Sequence, residues 1–157
     1  MAVSDETLYA MIKRHRPRGW RIYFGKRRTE IALAAKDKDE RGVRRDGLIN
    51  CAYADFERRI IRAPHVLCEY TLQILLHEFA HVHLKHITYV GDPPTKGIPL
   101  HKQEFEADRW SMEIMRMEGI TVTKAIVLSH KRYLRRCIKL DKAAGVTIHK
   151  HIQKRSA

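Results

Sequence analysis

Two histidines and a glutamate lie within the five-residue string HEFAH at positions 77–81. Side chains four residues apart share one face of an α-helix, so the imidazoles of His77 and His81 can reach a single cation. Glu78 projects beside them toward a water on that cation. Imidazole suits zinc, and a catalytic zinc keeps three protein ligands and one position for water. The pattern predicts zinc bound by His77 and His81, with Glu78 as general base.

A third ligand is expected from the string EFEAD at positions 104–108. A loop rich in glycine and proline, 89–99, separates this string from the histidines and allows the chain to reverse. An antiparallel helix can then bring the Glu104 carboxylate to the same metal. Asp108, one turn further along that face, is placed to accept the outer N–H of a ligand histidine, a bond that fixes its tautomer.

This pair of motifs resembles the gluzincin metallopeptidases and is most similar to the ImmA/IrrE-like metallopeptidases of bacteria and phages. The resemblance runs from Glu69 to about Gly119 and implies a zinc peptidase with a zincin-like fold, often acting on a regulatory protein. The second resemblance is to SprT-like proteases, which act on DNA-associated proteins. There the third ligand is a histidine, and His101 would take the place of Glu104. Glu104 is favoured because Asp108 completes the glutamate pattern.

The mechanism that follows is hydrolysis of a peptide bond. Zinc lowers the pKa of its water toward about 7, Glu78 takes the proton, and the same carboxyl returns it to the leaving amine. Stabilising the oxyanion takes a further donor, for which Tyr89, His130 and Tyr133 are the candidates, with His101 also considered. Two more histidines follow the motif, but helical spacing turns them away from the ligand face, which predicts surface or structural roles for His83 and His86.

Four helices and a small sheet are expected to position these residues. Ser4 is a plausible N-cap for a first helix that stops before Pro17. Apolar residues at three- and four-residue intervals predict helices over Glu69 to about His86, about Lys102 to Glu118, and about Thr123 to Ala144. The strand predictions are Trp20–Phe24 paired antiparallel with Ile31–Ala35, and weaker strands at Leu48–Tyr53 and Arg58–Arg62.

These elements predict an α+β, zincin-like fold, in which a small antiparallel or mixed sheet packs on the HExxH helix and two further helices follow. A chain of 157 residues fits one domain. We assign that domain to residues 1–145 and expect residues 146–157 to form a basic, flexible C-terminal tail.

The chain is strongly basic, with 31 Lys+Arg against 18 Asp+Glu and a formal net charge of +13. Basic side chains supply sequence-independent affinity for phosphate, so contact with DNA or RNA is a second expectation. The candidate contacts lie on the third long helix: Lys131, Arg132, Arg135 and Arg136.

No stretch approaches the roughly 20 apolar residues that span a bilayer, and the N-terminus lacks a secretory pattern, so the chain is expected to be cytoplasmic, with no membrane partner. Its three cysteines are odd in number and widely spaced, which predicts reduced thiols. The leading function is a zinc peptidase acting on a regulatory or DNA-associated protein. The alternatives are a nucleic-acid-binding protein, or a regulator with an inactive peptidase fold, each with a structural zinc.

Overall fold

The computed structural model describes residues 3–25, 52–86 and 97–157. Within these ranges the protein is a mixed α+β structure with a three-stranded sheet and five helices. The helices are α1 Asp5–His15, α2 Glu69–His83, α3 Leu100–Met117, α4 Lys124–Ala143 and α5 Lys150–Arg155. The strands are β1 Arg21–Phe24, β2 Tyr53–Asp55 and β3 Ile60–Ala63.

The predicted first helix is confirmed. Ser4 is its N-cap, and the Ser4 hydroxyl accepts a hydrogen bond from the Thr7 N–H at 3.3 Å. Met11 is buried and anchors α1 to the main core, and the helix ends before Pro17 as predicted. The cap and the helical spacing of the apolar residues are both local signals, which explains why the sequence located the helix correctly.

The sheet is mixed, with strand order β1-β3-β2. The central strand β3 pairs in parallel with β1 and antiparallel with β2. Its Ile61 is fully buried, opposite Ile22 on one side and Ala54 on the other. The predicted strand at Trp20–Phe24 is confirmed as β1, whereas its predicted partner Ile31–Ala35 lies outside the described residues.

Of the two weaker strand predictions, Arg58–Arg62 is confirmed as β3 with shifted bounds, whereas Leu48–Tyr53 shares only Tyr53 with β2 among the described residues. β2 begins at Tyr53, where the prediction ended, and residues 48–51 of that prediction lie outside the described part. β3 begins two residues later than predicted and ends at Ala63, just before Pro64. Proline has no N–H to continue the ladder, which accounts for the end of the strand.

Helix α2 is the centre of the packing, since it contacts α3 most extensively and also touches β2, β3 and α4. Its apolar face is fully buried in one cluster: Leu72, Leu75, Leu76 and Phe79. Each such side chain contributes about 1.5–3 kcal/mol through burial. This packing fixes the position of the helix that carries His77 and His81.

The predictions for α3 and α4 are confirmed to within two residues at each end. The sequence did not predict α5, which lies in the segment assigned to the C-terminal tail. Ile152 of α5 is buried against Leu134 and Ile138 of α4. Across the described ranges, none of the helices combines the length and the apolar character that crossing a bilayer requires.

Candidate metal centre

The two motif histidines stand one helical turn apart on α2, as the spacing predicted. Their Nε2 atoms are 2.9 Å apart and the rings meet edge to face, with centroids 4.6 Å apart. Both side chains are largely shielded, each with 12 % of its surface exposed. The nitrogen atoms of His77 and His81 therefore converge on one small, sheltered volume.

The structure brings Glu104 of α3 to the same volume. Its Oε2 lies 3.0 Å from His77 Nε2, and its Oε1 lies 3.4 Å from His81 Nε2. Ligands on one tetrahedral zinc, at bond lengths of about 2.0–2.1 Å, are about 3.3 Å from one another. The three observed separations fall within about half an ångström of that value, and two imidazoles with one carboxylate form a donor set that zinc accepts. These residues fit the metal.

Asp108 also occupies the position predicted for it. Its Oδ1 lies 2.6 Å from His77 Nδ1, and the same oxygen accepts a bond from Gln73 Nε2 at 2.9 Å. Its other oxygen is hydrogen-bonded to His130 Nδ1. Burial would raise the pKa of Asp108, but attraction to His77 and the bonds from His77 and His130 hold it well below its usual range. An ionised Asp108 holds the Nδ1 proton of His77, which leaves His77 Nε2 facing Glu104 and His81.

Glu78 is buried beside the histidines. One of its oxygens lies within 4.8 Å of a ring nitrogen of each histidine. In the part of the chain that the structure describes, no hydrogen bond or ion pair satisfies this carboxyl group. Burial raises its pKa to about 7. A buried carboxyl group without a partner is costly, and one with a near-neutral pKa suits proton transfer.

The charges of the cluster distinguish its two histidines. Burial opposes the protonation of both rings. At His77 the attraction of Asp108 and Glu104 outweighs burial and raises the pKa well above its usual value. At His81 burial and repulsion by His77 together lower the pKa to about 3. Burial favours a higher pKa for Glu104, but His77 lowers it, so Glu104 is ionised beside the histidine pair.

The structure does not bring His101, the alternative third ligand, to the histidine pair. His101 is fully buried, its Nδ1 lies 2.5 Å from Asp141 Oδ2, and its Nε2 accepts the backbone N–H of His149 at 3.2 Å. Both ring nitrogens are thus engaged elsewhere. Of the two candidates, Glu104 is the one whose ligand atoms face His77 and His81.

The prediction that the His86 side chain points away from the face of His81 is wrong, whereas the predicted structural role is compatible with its burial. The prediction of its direction assumed that α2 continues to about His86, but the helix ends at His83. The chain then turns, and His86 Nδ1 lies 3.1 Å from His81 Nδ1. His83 is exposed as predicted, and its Nε2 lies 2.7 Å from the backbone oxygen of His15.

The residues predicted as oxyanion donors lie in different places relative to the cluster. His130 lies close to the cluster through its bond to Asp108. Tyr133, one turn further along α4, is 41 % exposed and hydrogen-bonds Cys137. Tyr89 lies outside the described residues. The sequence missed Gln73, although it stands one turn before His77 on the same face of α2, so helical spacing would have found it.

The basic side chains predicted to contact nucleic acid lie on α4. Three of them are exposed and Lys131 is half-buried; the exposed ones are Arg132, Arg135 and Arg136. Arg135 also donates a hydrogen bond to the Ser156 backbone oxygen at 2.7 Å, which links α4 to the end of α5. Nucleic-acid contact stays a prediction.

Comparison with known proteins finds a match to the model of one protein family. No curated protein and no solved structure matches the chain. The model of the family described as Peptidase U49 matches residues 38–148, which is more than half of the 157 residues. That range includes every residue of the cluster around His77 and His81. The chain belongs to the Peptidase U49 family.

Proposed function

We propose that the protein is a zinc-dependent peptidase of the gluzincin type, in which His77, His81 and Glu104 hold the metal and Glu78 is the general base. One observation carries the proposal. Two imidazole nitrogens and a carboxylate converge at spacings of 2.9, 3.0 and 3.4 Å, with a buried carboxyl group beside them. Membership of a peptidase family supports the same reaction class.

A bound zinc would supply the Lewis acid that polarises the peptide carbonyl and acidifies a water. Glu78 would take the proton of the attacking water on its carboxylate and pass it to the leaving nitrogen. Burial raises the pKa of Glu78 toward neutral pH, which helps the carboxyl group to hold and return the proton, while the positive charge of a bound zinc would act in the opposite direction. Asp108 would keep the Nδ1 proton on His77 and so keep its Nε2 available to the metal.

The substrate in this proposal is a protein, either a regulatory one or one associated with DNA. The rival reading is a regulator that retains zinc without catalysis. The burial of Glu78 favours hydrolysis: among the residues that the structure describes it has no hydrogen-bond partner, which costs about 1–3 kcal/mol, and a purely structural zinc site would gain nothing from such a group. The ImmA/IrrE-like and SprT-like resemblances stay predictions.

The test compares wild type with Glu78→Gln, which keeps the size of the side chain and removes the base. Cleavage of a proteome-derived peptide library is read by mass spectrometry, and bound zinc is measured on the same samples. We expect equal zinc in both proteins and a loss of cleavage of about 10²–10⁴-fold in the variant. Glu113→Gln, an exposed glutamate on α3, is the matched control and should cleave like wild type.

Either of two results would refute the proposal. The first is wild-type protein that takes up no zinc. The second is identical cleavage by wild type and Glu78→Gln, which would remove Glu78 as the base. Glu104→Ala adds a check on the ligands, since it should weaken zinc binding while leaving the folded structure intact by circular dichroism.

A further inference from the structure

The C-terminus of α2 is a Schellman turn that begins within the motif itself. The His86 N–H donates to the His81 carbonyl at 2.9 Å, and the Lys85 N–H donates to the Val82 carbonyl at 3.1 Å. Lys85 adopts the left-handed conformation that this turn requires, with φ of 55°. In such turns the residue after the left-handed one folds back over the residue five positions earlier. Here those two residues are His86 and His81.

The turn places the His86 ring against the outer side of His81. The two Nδ1 atoms are 3.1 Å apart and the ring centroids 5.2 Å apart. The other nitrogen of His86, Nε2, lies 2.9 Å from Glu106 Oε2 on α3. His86 is only 1 % exposed, so these partners replace water around it.

The protons of this chain of bonds can be assigned. If His81 presents an Nε2 lone pair to a metal, its proton must sit on Nδ1 and needs an acceptor. Only His86 Nδ1 faces it among the described residues. With that nitrogen accepting, the proton of His86 sits on Nε2 and is donated to the Glu106 carboxylate. Every donor then has one acceptor, which leaves no proton on His81 Nε2.

This arrangement parallels the other motif histidine. Asp108 accepts directly from His77 Nδ1, whereas at His81 the carboxylate of Glu106 acts through an intervening imidazole. The turn that delivers the imidazole carries a cost, since a non-glycine residue in the left-handed region loses about 1 kcal/mol or more. Lys85 occupies that position although glycine would remove the strain.

We infer that His86, anchored by Glu106, is a positioning residue that fixes the tautomer and orientation of His81 for metal binding. The inference rests on the proposed function, because it concerns the same metal site. It adds a residue that the HExxH pattern does not contain and that lies beyond the end of the motif helix. His86 touches neither metal nor substrate in this role and acts only through His81.

The first measurement is the zinc dissociation constant, obtained on full-length protein by competition with a chromophoric chelator. His86→Phe keeps the ring volume and removes the acceptor, and we expect it to weaken zinc binding by about 10–100-fold. His86→Asn offers a carbonyl oxygen near the position of Nδ1, so its affinity should return toward that of wild type. His83→Phe is the matched control and should bind zinc as wild type does.

The second measurement needs no metal. Nitrogen NMR of ¹⁵N-histidine-labelled, metal-free protein reports which nitrogen of His81 carries the proton. We expect Nδ1–H in wild type and His86→Asn, and a shift toward Nε2–H in His86→Phe. Should His86→Phe lose its folded structure, Glu106→Gln, at a side chain about one third exposed, tests the same bonds and should weaken zinc binding to a smaller degree.

The outcomes separate the two proposals. Wild-type protein that binds no zinc refutes the proposed function, and this inference with it. Wild-type protein that binds zinc, together with a folded His86→Phe of equal zinc affinity and unchanged His81 tautomer, refutes the inference alone. Equal weakening by His83→Phe and His86→Phe would also overturn it, because the effect would then not depend on the turn.

Discussion

Asp141 should be among the most important single residues for stability, because it satisfies two donors at once in the interior. Its Oδ2 accepts the backbone N–H of His101 at 2.9 Å and faces His101 Nδ1 at 2.5 Å. The first bond satisfies an amide in the opening turn of α3, where N-cap Pro99 offers no side-chain acceptor. Asp141 is 1 % exposed and His101 is fully buried. Helix α4 thus caps helix α3 through the protein interior.

The stability lost on removing the Asp141 carboxylate can be worked out in two ways. Hydrogen bonds to a charged group contribute about 1.5–3 kcal/mol each, which gives about 3–6 kcal/mol for the pair. Removing the carboxylate also leaves two buried donors unsatisfied, at about 1–3 kcal/mol each, or about 2–6 kcal/mol together. We therefore expect Asp141→Ala to lower the free energy of unfolding by about 3–5 kcal/mol. For a chain of this size that corresponds to a fall in Tm of about 6–20 °C.

The assay is thermal unfolding of metal-free protein followed by circular dichroism. Asp141→Asn keeps one acceptor oxygen, so its Tm should lie between those of wild type and Asp141→Ala. The control is Glu113→Ala, which breaks an exposed pair with Arg109 and should cost no more than about 0.5 kcal/mol. If Asp141→Ala and Glu113→Ala unfold within about 2 °C of each other, the claim of a buried interhelical cap is refuted.

Two further predictions concern titratable side chains at other sites. Hydrogen bonds from Arg14 and His15 lower the pKa of Glu118, so its contribution to stability is present above the ordinary glutamate range and lost as the pH falls through the lowered pKa. Glu118→Gln should therefore cost about 0.2–1 kcal/mol at pH 7, and urea titrations should show this difference shrinking as the pH falls below the ordinary glutamate range; a difference that grows in acid would contradict the assignment. The second prediction is that iodoacetamide at pH 8 modifies Cys68 at least about 100-fold faster than Cys137. The Thr71 backbone N–H is the main cause that lowers the pKa of Cys68, whereas burial raises the pKa of Cys137 to about 12. Peptide mass spectrometry measures both rates; similar rates in folded protein would refute it, whereas similar rates in urea are expected.

Much of the fold followed from local patterns. The apolar spacing in α2, α3 and α4 predicted each helix, because periodicity depends only on neighbours along the chain. The exact ends of the helices were harder to predict from the sequence, and the C-terminal end of α2 is the clearest case. Its last turn is closed by Lys85 in a left-handed conformation, which residue type does not favour. The sequence therefore extended the helix to about His86 and misplaced that side chain.

Contacts between residues far apart in the chain could not be predicted from the sequence, for a different reason. His101 and Glu104 stand three residues apart on α3, and both carry ligand atoms. Which of them reaches the histidine pair depends on the rotation of α3 about its own axis. That rotation is coupled to Asp141, forty positions from His101, and nothing in the local pattern near His101 indicates such a partner.

The sequence by itself determined that His77 and His81 share a helical face with Glu78 beside them, because 3.6 residues per turn fix that relation wherever the helix lies. It also indicated Glu104 and Asp108 as a pair one turn apart. Only the tertiary structure decided which side chains surround them: Glu104 rather than His101 at the histidine nitrogens, Gln73 and His130 on Asp108, and His86 with Glu106 behind His81. These contacts depend on how helices and turns pack in three dimensions, and that packing is set by the whole core rather than by any single segment.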